Sequence, residues 1–475
     1  MEKSSKLKIV GLTLAGLSVL ASGSALAASL KVGGSVQTDF VWFDDDVDHP
    51  SHALGYGNGN LSFDNGSNLT NADIYLRGTL LDRWVYNLSV RNNYRSNRAA
   101  DDSRKNGPQV LDAWVGWDRF DPFVRFSVGR MNVSQGLENT GNQSGYTFIA
   151  PAAGQRTFAT GRADGVTLEG NPLRWLGYQV GAYYYSTNTG AQGSMAGTGA
   201  NIDETSQVVV SNVGNHLGLV SGRAFVQPVV LPGRVLHVGG TYSFADTDGD
   251  VTLNAAPGGY LNNANAKLVG VSSASGAAVA RDVDANGATR TDGYSLWGVE
   301  GLAIAGPLHV QAEYQEFELD LVNAARVAAA TSSLDAKGWY VQGSWVMTGE
   351  SRNYDPVSGT VGKVTPRNNV WGAWELAVRY DRIKLNDSIN TAGTSAPAAF
   401  CGDSNAVAGT CINGGKMSDW TVGLNWYPNK NVKLMANYTW AGADYAGAPN
   451  FSAGTPETKS SRDVNVFGFK AQVDF

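Results

Sequence analysis

"DVNVFGFKAQVDF", Asp463–Phe475, ends the chain. Phe467, Phe469, Ala471, Val473 and Phe475 fall on every second position, with Gly468, Lys470, Gln472 and Asp474 between them. A period of two is the signature of a strand with one apolar and one polar face. In a soluble sandwich the apolar face meets a second sheet. In a transmembrane barrel it meets lipid, and the polar face lines a lumen.

The other end of the chain favours export. Lys3, Lys6 and Lys8 precede the apolar stretch "IVGLTLAGLSVLA" and then "SGSALA", with Ala25 and Ala27 spaced as a cleavage site. This pattern predicts a signal peptide over 1–27 and a single barrel domain over 28–475. The stretch is too short to span a bilayer as a helix, and no later segment is long and apolar enough to do so. Loss of three Lys and one Glu takes the net charge from −6 to −8, which argues against a nucleic-acid partner. The composition, with 58 Gly, 13 Trp and only 16% charged residues, suits a secreted β-protein.

Sixteen alternating runs are legible, near 30–44, 69–81, 83–95, 108–119, 122–131, 161–170, 174–186, 216–229, 234–245, 292–304, 307–320, 336–348, 369–382, 416–427, 430–442 and 462–475. Their connections alternate between tight turns such as "FDP", "LPG", "AGP" and "PNK" and long loops. Thr348–Pro366 stands out as a long member of the short set. Short turns on one rim and long loops on the other, with an even strand number, define an outer-membrane barrel. Sixteen strands leave an aqueous channel. The faces agree. In the run at 430–442, Val432, Leu434, Ala436, Tyr438 and Trp440 share one side and Lys433, Met435, Asn437 and Thr439 the other. Trp and Tyr gather at strand ends, as an interfacial girdle requires, so the polar series faces inward. The expected class is therefore all-β: a 16-stranded antiparallel transmembrane barrel in a Gram-negative outer membrane, surrounded by lipid and lipopolysaccharide. Phe475 is the expected aromatic anchor at the periplasmic rim and the signal that the barrel-assembly machinery recognises.

Several motifs resemble the phosphate-selective porins O and P. They are "GAWELAVRYD" (Gly372–Asp381), "TGESRNY" (Thr348–Tyr354, the family's T-G-E-x-R-x-Y), "WTVGLNWYPNKNVKLMANY" (Trp420–Tyr438), "AQVDF" (Ala471–Phe475) and "GRADGV" from Gly161. The resemblance implies a homotrimer, a third loop folded into the lumen, and anion-selective diffusion past lumen arginines. The chain departs from the family at three places. Ala163 replaces the second Arg of G-R-R, "TFIAP" (Thr147–Pro151) stands where the family has an F-M-E-R-like segment, and Asn132 replaces a Lys.

Alternation places Arg77, Arg91, Arg95, Arg125, Arg223, Arg379, Lys433 and Lys470 inward. It also places Asp73, Asp112, Asp118, Glu169, Glu313, Glu375, Asp381, Asp419 and Asp474 inward, so the totals nearly cancel. The third loop adds Arg156, Arg162 and the acid Glu138. Arginine forks suit oxyanions, but the same arginines can instead pair with lumen acids and hold the wall. The expected function is a moderately anion-selective pore for phosphate or other small anions. The alternatives are a general or weakly cation-selective porin, and a barrel hydrolase.

Cys401 and Cys411 are expected to form a disulfide in an oxidising periplasm. "DTDGD" (Asp246–Asp250) opens like a calcium loop, but position twelve is Pro257, and "FDDDVDH" (Phe43–His49) reads as an exposed loop. No metal or cofactor is expected. Of five histidines, His49 and His52 lie in a loop and His237 and His309 face the lumen; no G-x-S-x-G or H-E-x-x-H occurs.

Overall fold

The structure is a computed structural model. It describes residues 29–45, 66–80, 83–95, 107–185, 209–211, 217–246, 250–255, 269–272, 291–321, 333–368, 370–387, 412–444 and 461–475. The expected signal peptide, Cys401 and Cys411, and most of the acidic loop lie outside these residues, as does the side chain of Arg95.

The strands in chain order are β1 (Ser29–Asp45), β2 (Gly66–Leu80), β3 (Trp84–Arg95), β4 (Gly107–Phe120), β5 (Val124–Asn132), β6 (Arg162–Leu173), β7 (Leu176–Tyr185) and β8 (Val209–Ser211). There follow β9 (Leu217–Leu231), β10 (Arg234–Asp246), β11 (Asp250–Ala255), β12 (Val269–Ser272), β13 (Thr291–Ala305), β14 (Leu308–Leu321) and β15 (Ser333–Val346). The last are β16 (Arg352–Asp355), β17 (Thr360–Val364), β18 (Ala373–Asp387), β19 (Ile412–Asn429), β20 (Val432–Asp444) and β21 (Ser461–Asp474). Sixteen of them, all but β8, β11, β12, β16 and β17, close into one barrel in which chain neighbours pair. Each of the sixteen runs read from the sequence becomes one barrel strand.

The terminal stretch closes the ring. β21 pairs antiparallel with β1, with Val473 opposite Val36, Phe469 opposite Phe40 and Phe467 opposite Trp42. The backbone of Phe475 exchanges two hydrogen bonds with Gly34, at 2.9 and 3.0 Å. A barrel has no free edge, so every strand's polar backbone is paired within the apolar phase. Among the described residues no helix is long and apolar enough to cross a membrane.

The outer face is a lipid surface. Val226, Val238, Val299, Val310, Val341, Val378 and Val422 are exposed in its middle. Aromatic pairs bound this band. On the side of the short turns, Trp84 meets Trp117 and Trp374 stacks on Trp426. On the side of the long loops, Trp297 meets Tyr314, and Tyr380 lies between Trp339 and Trp420. These are the two interfacial girdles of a membrane barrel.

Two features depart from the sequence reading. Thr348–Pro366, counted there among the turns, contains the hairpin β16–β17, which enters the lumen. Segments between barrel strands also form a three-stranded sheet, β12-β11-β8.

Replacing Phe475 by Asp is expected to lower the amount of inserted barrel severalfold. The unfolding stability of the protein that does insert should change by much less than the ~2–4 kcal/mol of a mid-bilayer charge, because the residue sits at the rim. Quantitative blots of outer membranes and urea unfolding in vesicles separate the two effects, and wild-type yield would show the residue to be dispensable.

Candidate functional site

The third loop joins β5 to β6 and carries two short helices, α1 (Gly136–Thr140) and α2 (Ala153–Phe158). Its ends are tied by Val133 N–H donating to the Gly161 carbonyl at 2.8 Å. Gly136 (φ 78°) is required at the bend for two reasons. Its backbone is left-handed, and a Cβ there would collide with Glu313 Oε2. That close approach lets the Glu313 carboxylate of β14 accept from both Leu137 N–H and Glu138 N–H, each at 3.0 Å. Further along, Gly154 of α2 lies flush on Gly338 of β15, where a Cβ would sit 2.9 Å from the Gly338 Cα. Phe158 stacks on Phe317, with ring centroids 5.8 Å apart. The loop thus fills the side of the lumen walled by β9 to β21.

The β16–β17 hairpin rises beneath it. Arg352 Nη1 donates to Glu375 at 2.9 Å and to Thr147 Oγ1 at 3.0 Å, and Nη2 donates to the Gly145 carbonyl. Arg223 donates to the Ser358 and Gly359 carbonyls, at 2.6 and 3.0 Å, and pairs with Glu300 at 2.7 Å. Tyr354 and Val361 pack on a cluster formed by Leu137, Val235, Leu302 and Ile304.

Beside β1 to β7 the described residues line an open cavity of about 480 Å³. Four of the arginines proposed from sequence line it: Arg77, Arg91, Arg125 and Arg162. Three of these are paired. Arg91 bonds Asp73 in a two-pronged contact at 2.8 Å, Arg162 bonds Asp112 at 2.9 Å, and Arg125 bonds Glu169 while lying over the Trp114 ring. Lys363 of the hairpin joins the wall, paired with Asp474 at 2.7 Å. Arg77 has no carboxylate partner among the described residues. It donates to Asn87 at 2.9 Å and lies over the Tyr75 ring.

The other candidates are used differently. Arg223, Arg379 and Lys433 are 3%, 1% and 2% exposed. Arg379 donates to the Ala150 carbonyl and covers Phe148, and Lys433 donates to the Tyr146 carbonyl, so both hold the third loop rather than line the pore. Lys470 does the same through the Ile149 carbonyl. Arg156, expected at the narrowest point, is buried in α2 and lines a small pocket enclosed by the loop's own residues. The reason is common to the four strand residues: inward parity says that a side chain faces the lumen, but the lumen there is filled by loop or hairpin.

Sequence reasoning missed Glu300, Arg352 and Lys363. Glu300 lies on β13 among Tyr294, Leu296, Leu302 and Ile304, which also point inward and are buried. With apolar residues on both faces, the strand gives no polar parity to follow. Arg352 and Lys363 sit in strands too short to show alternation; the length of Thr348–Pro366 was the available signal. Glu138 is fully enclosed by the loop, and burial raises its carboxyl from the usual range to about 7, opposed chiefly by Arg379. It accepts from Ala152 N–H at 2.7 Å.

A closed barrel with a girdled lipid face and a narrowed aqueous lumen defines an outer-membrane diffusion channel. The chain matches the family described as "Phosphate-selective porin O and P" over residues 36–475 and belongs to it. It is 28% identical to Porin O of Pseudomonas aeruginosa over 428 residues, 88% of this chain and 83% of that one. Among solved structures it is similar to OmpT, an outer membrane protein of Vibrio cholerae (12% identity, 94% and 98% of the two chains, TM-score 0.49). It is also similar to an anion-selective porin from Comamonas acidovorans (12% identity, 94% and 100%, TM-score 0.47).

Two outcomes test the loop anchors. Glu313→Ala leaves two buried N–H groups without an acceptor, at a cost of about 1–3 kcal/mol each. Larger and noisier single-channel currents are expected, and unchanged currents would show that the anchor is dispensable. Glu138 binds a proton more tightly in the folded loop than in the unfolded chain, so docking weakens as pH rises from the ordinary carboxylate range through about 7. Current noise should therefore grow between pH 4.5 and about 7 in the wild type, the window set by that shift, and stay flat in Glu138→Gln.

Proposed function

We propose that the channel passes small anions, phosphate among them, with moderate anion selectivity and no tight phosphate site. The observation that carries this is Arg77. The cavity is lined by five cations and four carboxylates, and the carboxylates Asp73, Asp112, Glu169 and Asp474 are matched to Arg91, Arg162, Arg125 and Lys363. The excess is one positive charge, in a confined space where fixed charge sets selectivity. The paired arginines have donors already committed, so they offer no open multi-arginine clamp for a phosphate. The family description supports anion transport as the general trade of these channels.

A channel rather than an enzyme is also favoured by the lumen histidines. His237 bridges the Tyr354 hydroxyl (2.8 Å) and Glu300 (2.9 Å), an order resembling an acid–base relay. It is fully buried, stacked on Phe225 with Tyr354 edge-on, so it serves as a lock on the hairpin. The homotrimer implied by the family resemblance belongs to this proposal too; an SDS-resistant oligomer that dissociates on heating is its expected signature.

In a planar bilayer with a KCl gradient, the reversal potential should have the sign for chloride preference. Arg77→Gln should move it toward potassium, and millimolar phosphate should block chloride current only weakly. Cation preference in the unmodified protein would overturn the anion assignment. Strong phosphate block would show a tight site that the paired wall conceals.

A further inference from the structure

The outer face holds a row of like charges with no purpose in the pore. β15, β18 and β19 are neighbours, and their register sets Lys337 opposite Lys384 and Lys384 opposite Lys416. Two residues nearer the bilayer, Arg382 lies between Trp339 and Ser418. These positions share parity with the lipid-facing Val378 and Trp420, so the row points away from the lumen. Arg382 and Lys384 are exposed and Lys416 is half-buried.

Directly opposed like charges destabilise a sheet, and adjacent strands are only about 4.8 Å apart. Lys337 has an answer in Glu316 of β14, at 2.8 Å. Asp444 stands opposite Lys416 at the far end of the row. Arg382, Lys384 and Lys416 have no ion pair among the described residues. The cost of holding three cations together is offset if an outside anion bridges them.

Height identifies that anion. Tyr380, with Trp339 and Trp420 against it, marks the interfacial girdle on the side of the long loops. Strands rise about 3.3 Å per residue and tilt by about 45°, so they climb roughly 2.3 Å per residue. Arg382 therefore stands about 5 Å above the ring of Tyr380, and the lysine row about 9 Å above it. That is the level of headgroup phosphates, immediately beyond the hydrocarbon.

We propose that Arg382, Lys384 and Lys416 form a binding site for the phosphorylated sugar headgroup of outer-leaflet lipopolysaccharide, with the acyl chains lying on the aliphatic band below. Arg382 supplies a planar fork to one phosphate at the girdle, and the lysines supply point charges to the headgroup above it. The site is on the outside of the barrel, so it is independent of pore selectivity.

The test uses the full-length oligomer, stripped of lipopolysaccharide in mild detergent and titrated with diphosphoryl lipid A. Each cation near such a surface contributes about a factor of five, so Arg382→Gln/Lys384→Gln/Lys416→Gln should bind roughly a hundredfold more weakly. Conductance and reversal potential should stay at wild-type values. Should the triple variant insert poorly, Lys384→Gln alone should show about a fivefold loss. The wild type needs no variant at all: dephosphorylated lipid A should bind it about as weakly as diphosphoryl lipid A binds the triple variant. Equal affinity for the two lipids, or equal affinity of wild type and variant, would overturn the proposal. Displacement of the lipid by millimolar inorganic phosphate would overturn it in favour of a site for free anions. Loss of the oligomer with unchanged lipid binding would overturn it by placing the row at a contact between copies.

Discussion

Arg352 and Glu375 meet at 2.9 Å with neither side chain accessible to water. Much of the lumen's shape depends on this pair. A buried ion pair is tolerable only when its remaining donors and acceptors are satisfied. Here the guanidinium also reaches Thr147, Gly145 and Gly362, while the carboxylate also accepts from Ser344, Asn425 and Tyr427. One contact therefore joins the periplasmic hairpin, the third loop and the wall strands β15, β18 and β19. Removing one partner of such a pair costs about 3–5 kcal/mol, since the other is left charged and buried. The narrowing of the channel is thus built into the packing and does not rest on loop surface contacts.

The barrel was legible because lipid imposes a strict rule. An outward side chain must be apolar, an interfacial one is often aromatic, and the period is two. Strands such as β20 and β21, whose outward faces are apolar over Val432–Trp440 and Phe467–Val473, can therefore be placed from their residues alone. The lumen imposes no such uniformity. Where it holds water, inward residues are polar, and Arg77, Asp73 and Arg91 could be placed from sequence. Where it holds protein, inward residues can equally be Leu296, Leu302 and Phe317, all buried against loop or hairpin.

The same distinction explains why charge counting gave near neutrality and little else. Glu313, Glu375 and Asp381 are inward acids, yet they point at loop N–H groups or buried cations and not at the permeation path. Arg223, Arg379 and Lys433 are inward cations spent on carbonyls. Selectivity depends on the charge left facing water after this internal pairing, a quantity set by tertiary placement alone.

Inside and outside the barrel, charge is managed in opposite ways. Within the lumen nearly every described cation is set against a carboxylate or a carbonyl, because the packed loop and hairpin bury many of them and an unpaired buried charge is costly. On the outer rim Lys384 stands between two other lysines. A surface under no constraint would place such residues apart or alternate their sign, since cross-strand like charges repel. The interior satisfies its charges from within the chain, and the rim leaves three of them to be satisfied by the membrane. What surrounds this barrel is therefore part of its electrostatic design, as the loop that fills it is.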